Sequence, residues 1–237
     1  MDTPSAAGAA RDAHGGDRRD VTGEIRRTRE RVWTIVVAAG AGTRFGGPKQ
    51  YESLGDRRVL DWAVETARAV SDGVVIVVPE PDVAREGGVP GGATRSESVR
   101  AGLARVPTDA TVICVHDAAR PFASEFVYGE VIDAVAGGAD AAVPGVAVTD
   151  TIKVVAEDRT VVETPDRRRL VAVQTPQAFR AEVLRRAHAA GGQGTDDAAL
   201  VEAGGCRVVV VDGDPLNRKL TTPDDLEWAR AVVRGEA

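Results

Sequence analysis

Aromatic residues make up only 4% of this 237-residue chain, and cysteine, methionine and histidine number two, one and three. Each scarcity removes a class of answer. Cys114 and Cys206 are too far apart for a zinc-ligand spacing and too few for a disulfide framework. Both fall in apolar, strand-like runs and are expected to be buried thiols. The three histidines supply no Ser/His/Asp or Cys/His arrangement. His14 lies in an N-terminal stretch, His188 on a helix expected at the surface, and His116 beside Asp117, where it is expected to shape a turn. Positive charge is not in excess either. A net charge of −6 leaves no electrostatic footprint for nucleic acid. No apolar run approaches the roughly 20 residues that span a bilayer.

The stretch from Met1 to Arg31 is rich in Gly, Ala, Asp and Arg and poor in apolar residues, so it reads as a disordered tail over residues 1–31. It contains neither the apolar segment of roughly 7–15 residues of a secretory signal nor the acid-poor composition of a transit peptide. The expected compartment is the cytoplasm. Lysine is scarcest among the charged residues: 27 of the 30 basic residues are Arg, and only Lys49, Lys153 and Lys219 are Lys. A lysine kept against that bias is a candidate for work that a compact ammonium does better than a planar guanidinium.

What the chain has in quantity is short β-branched runs alternating with helical periodicity. Strands are predicted over Thr34–Ala38, Val74–Val78, Thr111–Val115, Ala139–Val143, Leu170–Val173 and Arg207–Val211. Helices are predicted over Val59–Val70, Ser96–Ala104, Phe126–Ala136, Arg180–Ala190 and Asp196–Ala203, with a last one begun by Thr222 and Pro223. This alternation predicts one α/β domain over residues 32–237, a mostly parallel sheet with helices on both faces. The rhythm breaks at about 148–168. There Thr151–Val155 and Thr160–Thr164 flank a polar turn, a β-arm with no helix to cover it. Exposed β edges invite pairing, and a homodimer through the arm is the expected cover.

The segment Ala38 to Lys49, AAGAGTRFGGPK, follows the first strand directly, and its glycines let backbone N–H groups approach an anion. Two familiar nucleotide motifs fail on spacing. Phe45 stands where a dinucleotide fingerprint needs its third glycine, and Pro48 separates Gly47 from Lys49 where a Walker A loop needs Gly-Lys. What remains is a loop with two cations, Arg44 and Lys49, able to reach one triphosphate.

Ala-Ala-Gly-x-Gly-x-Arg followed by Pro-Lys-Gln-Tyr resembles the signature loop of 2-C-methyl-D-erythritol 4-phosphate cytidylyltransferases. Further matching segments follow in order: Gly91–Val99, His116–Pro121, Thr149–Lys153, Asp166-Arg167, Gln174–Gln177 and Asn217–Thr221. Together they cover essentially all of the chain after residue 32. The departure is Ala93-Thr94, where relatives often carry acidic residues, which bears on base recognition.

The resemblance implies a Rossmann-like, GT-A-like nucleotidyltransferase fold and transfer of a cytidylyl group from CTP to a polyol phosphate, 2-C-methyl-D-erythritol 4-phosphate, with release of pyrophosphate and with Mg²⁺ accompanying the triphosphate. By the same carry-over, Arg44 and Lys49 stabilise the transition state. Lys219 draws the two phosphates together, and Arg167 positions the substrate phosphate across a dimer. The backbone of Ala38, Ala39 and Gly92, with the Ser98 hydroxyl, reads cytosine, and Gly40 and Gly42 belong to the nucleotide loop. Arg120, Thr151 and Thr175 are candidates for the substrate's hydroxyls and phosphate. Asp117 is either a metal-binding carboxylate or a substrate contact. Two alternatives stay open on sequence: a ribitol-5-phosphate cytidylyltransferase, and a non-catalytic nucleotide-binding protein on the same fold.

Overall fold

The computed structural model describes residues 30–192 and 194–236. The tail expected over 1–31 therefore lies outside the described residues except for Glu30 and Arg31, and so does His14. The first strand, β1 (Val32–Val37), is β-branched except for Trp33. Its period of two sends Val32 and Val36 to one face and Trp33, Ile35 and Val37 to the other. A small hairpin, β2 (Ser53–Leu54) and β3 (Arg57–Arg58), leads into α1 (Val59–Val70). Then come β4 (Gly73–Val78), the single turn α2 (Val83–Glu86), β5 (Val89–Pro90), α3 (Arg95–Leu103), β6 (Val112–Asp117) and α4 (Glu125–Ala136).

After β7 (Ala141–Ala147) the chain makes the arm, β8 (Val154–Val155) and β9 (Val161–Glu163), turning through Arg159 at φ 68°. The arm's valines are exposed, as the unaccompanied hairpin in the sequence predicts. The chain returns through β10 (Val171–Val173) and β11 (Gln177–Arg180). It then makes α5 (Ala181–Ala189), α6 (Asp197–Ala203), β12 (Val208–Asp212) and α7 (Pro223–Arg234). The N-cap of α7 is Thr222, whose hydroxyl accepts from the Asp225 N–H at 3.3 Å.

The main sheet runs β10-β7-β11-β6-β1-β4-β5, with β12 also paired to β7. The β1/β4, β1/β6, β4/β5 and β7/β12 pairs are parallel, whereas β11 enters antiparallel between β6 and β7. Helices cover both faces. α1 and α4 pack Leu60, Val64 and Val131 over Val36 and Cys114, while α3, α5 and α6 pack Val99, Leu184 and Val201 over Ile35, Ile113 and Phe179. A third cluster joins Leu54, Leu220 and Leu226 to Phe45, Trp62, Phe122 and Trp228 beneath the glycine-rich loop.

The strand β11 is absent from the sequence reading because QAFR carries polar residues at both ends. Its β conformation comes from two partners rather than from its own pattern. Two expectations are corrected. Cys206 is half-buried and precedes β12, because the chain still turns through Gly204 and Gly205, the latter at φ 75°. His188 is buried, not at the surface: it shares the inward face of α5 with Ala181 and Leu184 and pairs with Asp197.

Phe179 is fully buried and Phe126 is 60% exposed, so the two phenylalanines test this packing. Phe179→Ala is expected to cost about 3–5 kcal/mol in urea unfolding, and Phe126→Ala less than about 0.5 kcal/mol. Equal losses would contradict the placement of β11 in the core.

Candidate active site

Parallel strands β1, β4 and β6 end at one edge, with Val37 in register with Val77 on one side and Asp117 on the other. The loops leaving that edge enclose a cavity of about 510 Å³, where an open α/β sheet offers its ligand site. Ala38, Ala39, Gly40, Gly42, Arg44 and Lys49 line it from the glycine-rich loop. Gly92, Arg95 and Ser98 line it from the α3 side, Asp117 from β6, and Lys219 from the segment before α7. Most of the residues singled out from the sequence therefore meet in one place.

The loop is shaped for an anion. The Gly42 carbonyl accepts from the N–H groups of Phe45, Gly46 and Gly47 at 2.8, 2.9 and 3.3 Å, which folds the loop back on itself. Gly42 has φ 64°, and a methyl group there would collide with the Gly47 carbonyl, so only glycine fits. Among the described residues, the N–H groups of Gly40 to Arg44 donate to no internal acceptor and are available to a ligand. Phe45 anchors the loop in the aromatic cluster below it. Opposite, Gly91 lets the chain pass so close to Ala39 and Ser98 that a side chain would clash.

Among the described residues four cations line this cavity, Arg44, Lys49 and Lys219 together with Arg95. Burial, then the charges of Lys219 and Arg44, lower the Lys49 pKa from its ordinary value. Among the described residues, Asp117 is the one carboxylate lining the cavity. Because side chains alternate along β6, Asp117 shares the α3/α6 side with Ile113 and Val115, while His116 points to α4 and packs on Tyr128 at 5.6 Å. Asp117 accepts from Lys219 Nζ at 2.6 Å and from Arg95 Nε at 3.1 Å. Burial alone would raise its pKa, but Arg95 and Lys219 overcome that and hold it below the usual carboxylate range. His116 is a structural group. Burial lowers its pKa to about 4, and its nitrogens bond the Arg120 carbonyl and the Thr175 hydroxyl, both at 3.1 Å.

Thr175, Arg120, Thr151 and Arg167 stand apart from the cavity. The Thr175 hydroxyl is buried beneath it and accepts from the Asp117 N–H at 3.0 Å. Arg120 donates to the carbonyls of Asn217 at 2.7 Å and Val173 at 3.3 Å. Thr151 and Arg167 lie on the exposed arm, where Arg167 donates to the Thr149 carbonyl. The Ser98 hydroxyl is engaged by the fold, donating to the Thr94 carbonyl at 3.0 Å and accepting from the Gly92 N–H at 3.2 Å. It therefore shapes the Gly92 wall. Arg95 carries no local signal in the sequence, because its partners are 22 and 102 residues away. Gln50 carries no such signal either: it is a buried cavity residue whose Nε2 has no hydrogen-bond partner among the described residues.

Among the described residues no group of three or more His, Cys, Asp or Glu gathers as a metal site. Asp117 already serves two cations, so these residues fit a divalent ion only as one that arrives with phosphate oxygens of its own.

The family model for 2-C-methyl-D-erythritol 4-phosphate cytidylyltransferase matches residues 32–235. The protein of that name from Rhodococcus jostii is 45% identical over 215 residues, covering 85% of this chain and 95% of that one. The bifunctional enzyme IspD/IspF from Anaeromyxobacter dehalogenans is also 45% identical, over 226 residues and 86% of this chain. The present chain spans only 57% of that relative's length. Among solved structures, 4-diphosphocytidyl-2C-methyl-D-erythritol synthase from Anaerococcus prevotii superposes with a TM-score of 0.77 at 28% identity, over 86% of this chain and 99% of the other. The 2-C-methyl-D-erythritol 4-phosphate cytidylyltransferase from Thermus thermophilus gives 0.73 at 34% identity, over 85% and 98%. With the match running through the glycine-rich loop, Asp117, the arm and Lys219 alike, the chain belongs to the 2-C-methyl-D-erythritol 4-phosphate cytidylyltransferase family.

Proposed function

We propose that this chain transfers the cytidylyl group of CTP to 2-C-methyl-D-erythritol 4-phosphate and releases pyrophosphate. The observation that carries this reading is the convergence of Arg44, Lys49 and Lys219 on one cavity walled by unpaired backbone N–H groups. The names of the Rhodococcus and Thermus relatives support the donor and the acceptor.

In this reading an oxygen of the acceptor phosphate forms a bond to the α-phosphorus of CTP. The bond from that phosphorus to the oxygen bridging to the β-phosphate breaks, and pyrophosphate leaves with the electron pair. A phosphate dianion is already nucleophilic, so no proton has to be removed. That agrees with a site whose one nearby histidine, His116, has both nitrogens engaged. Catalysis then rests on positioning and on neutralising the charge that builds at phosphorus. Arg44 and Lys49 serve the α-phosphate, and Lys219 serves the incoming phosphate. Mg²⁺ would be held by phosphate oxygens with Asp117 in reach, and supplies further neutralisation of the triphosphate. The Ala38 N–H is engaged by the Val77 carbonyl at 2.7 Å, which leaves the Ala38 carbonyl for the exocyclic amine of cytosine.

The arm suits a second copy of the chain. Val154, Val155, Val161 and Val162 are exposed along it, and Arg167 lies outside the cavity of its own subunit. The proposed compartment is the cytoplasm, which keeps both thiols reduced. Among the described residues no helix is long and apolar enough to cross a membrane.

Pyrophosphate release with CTP and Mg²⁺ is expected with methylerythritol 4-phosphate and at most weakly with ribitol 5-phosphate. Turnover with the second alone would reassign the acceptor, and turnover with neither would favour a nucleotide-binding protein. Lys49→Ala is expected to lower kcat by about 10²–10³-fold at an unchanged melting temperature. Because the Lys49 pKa is lowered, its charge is lost early as pH rises; Lys49→Arg should therefore shift the alkaline fall in kcat/KM to higher pH. Mixing inactive Arg167→Ala and Lys49→Ala proteins should restore part of the activity through mixed dimers. Proven heterodimers without any recovery would place Arg167 outside the neighbour's site.

A further inference from the structure

Behind the cavity, the contacts of Asp117 continue inward. Arg95 is the first residue of α3. Its Nε donates to Asp117 Oδ1 at 3.1 Å, and its Nη1 donates to Asp197 Oδ2 at 2.6 Å. Asp197, the first residue of α6, has no exposed surface, and its other oxygen meets His188 Nε2 on α5 at 2.9 Å. The result is one row, Lys219–Asp117–Arg95–Asp197–His188, running from the cavity into the core. The chemistry described above uses its outer end and leaves Asp197 and His188 without a part.

Stability alone does not account for this row. Buried ion pairs rarely stabilise beyond an apolar replacement of the same volume, and among the described residues Arg95 Nη2 is buried without a hydrogen-bond partner. What the row does achieve is geometric. A guanidinium held at two of its nitrogens cannot rotate, and a carboxylate bonded to it is fixed in turn. We propose that Arg95, clamped from behind by Asp197 and His188, is a positioning residue that fixes the Asp117 carboxylate and thereby sets where the Lys219 ammonium stands in the cavity. The inference rests on the reaction proposed above, in which Lys219 meets the acceptor phosphate.

Asp197 is the decisive position because it does not line the cavity and touches the site only through Arg95. In Asp197→Asn, kcat should fall by about 10–100-fold while the KM for CTP changes by less than about 3-fold, as for other groups that orient a reacting residue. Arg95→Ala should lose more, and added guanidinium ion should restore part of its rate without raising its melting temperature. Arg95→Lys, which keeps the charge but not the fork, should stay impaired. A second readout needs no turnover. With substrates absent, acylation of Lys219, followed by peptide mass spectrometry, should speed up several-fold in Asp197→Asn while Lys153 on the arm is unchanged. Wild-type kcat and wild-type Lys219 reactivity in a folded Asp197→Asn protein would overturn the proposal. If wild-type enzyme failed to turn over while the acylation shift appeared, the positioning role would stand and the assigned reaction would fall.

Discussion

One buried carboxylate makes the rest of the site possible. Arg44, Lys49 and Lys219 crowd a single cavity, and their mutual repulsion opposes that arrangement until an anion arrives. Asp117, at the last residue of β6 and in register with the last residue of β1, supplies the standing counter-charge. Its place is a matter of strand parity. A shift of one residue would turn the carboxylate toward Tyr128 and α4 and leave the cations unbalanced. The pairing of β6 with β1 on one side and β11 on the other guards against that shift.

Much of this was legible in the sequence because it is local. The boundaries of α1 and the N-cap of α7 follow from periodicity and capping chemistry, and the glycine-rich loop announces itself by composition and by its place after a strand. The unaccompanied valine hairpin at residues 154–163 reads directly as an arm. What escaped was set by distant partners. QAFR becomes a strand only because β6 and β7 flank it. Arg95 becomes part of the site only because Asp117 and Asp197 come from far along the chain. His188 misled for the same reason: its helical face was readable, but the carboxylate that makes its burial tolerable lies on another helix.

The few aromatic residues are not spread evenly. Phe45, Trp62, Phe122 and Trp228 gather under the glycine-rich loop, with edge-to-face contacts at 6.0 and 5.9 Å. Such rings are stiff and bury large areas. Elsewhere the sheet is covered mainly by small aliphatic residues, with Tyr128 and Phe179 the largest side chains fully buried against it. Under a loop built of glycines something rigid is needed, and the fold concentrates its scarce aromatics there.

The distance in sequence between Asp117 and Lys219 bears on how the protein is made. The phosphate loop, β6 and Asp117 leave the ribosome early, whereas β11, which borders β6, and the segment carrying Lys219 follow much later. A growing chain thus carries the glycine-rich loop well before it holds Lys219, among the last side chains to join the cavity. Folding of the last quarter, rather than of the loop itself, marks the moment at which a newly made molecule closes its cavity.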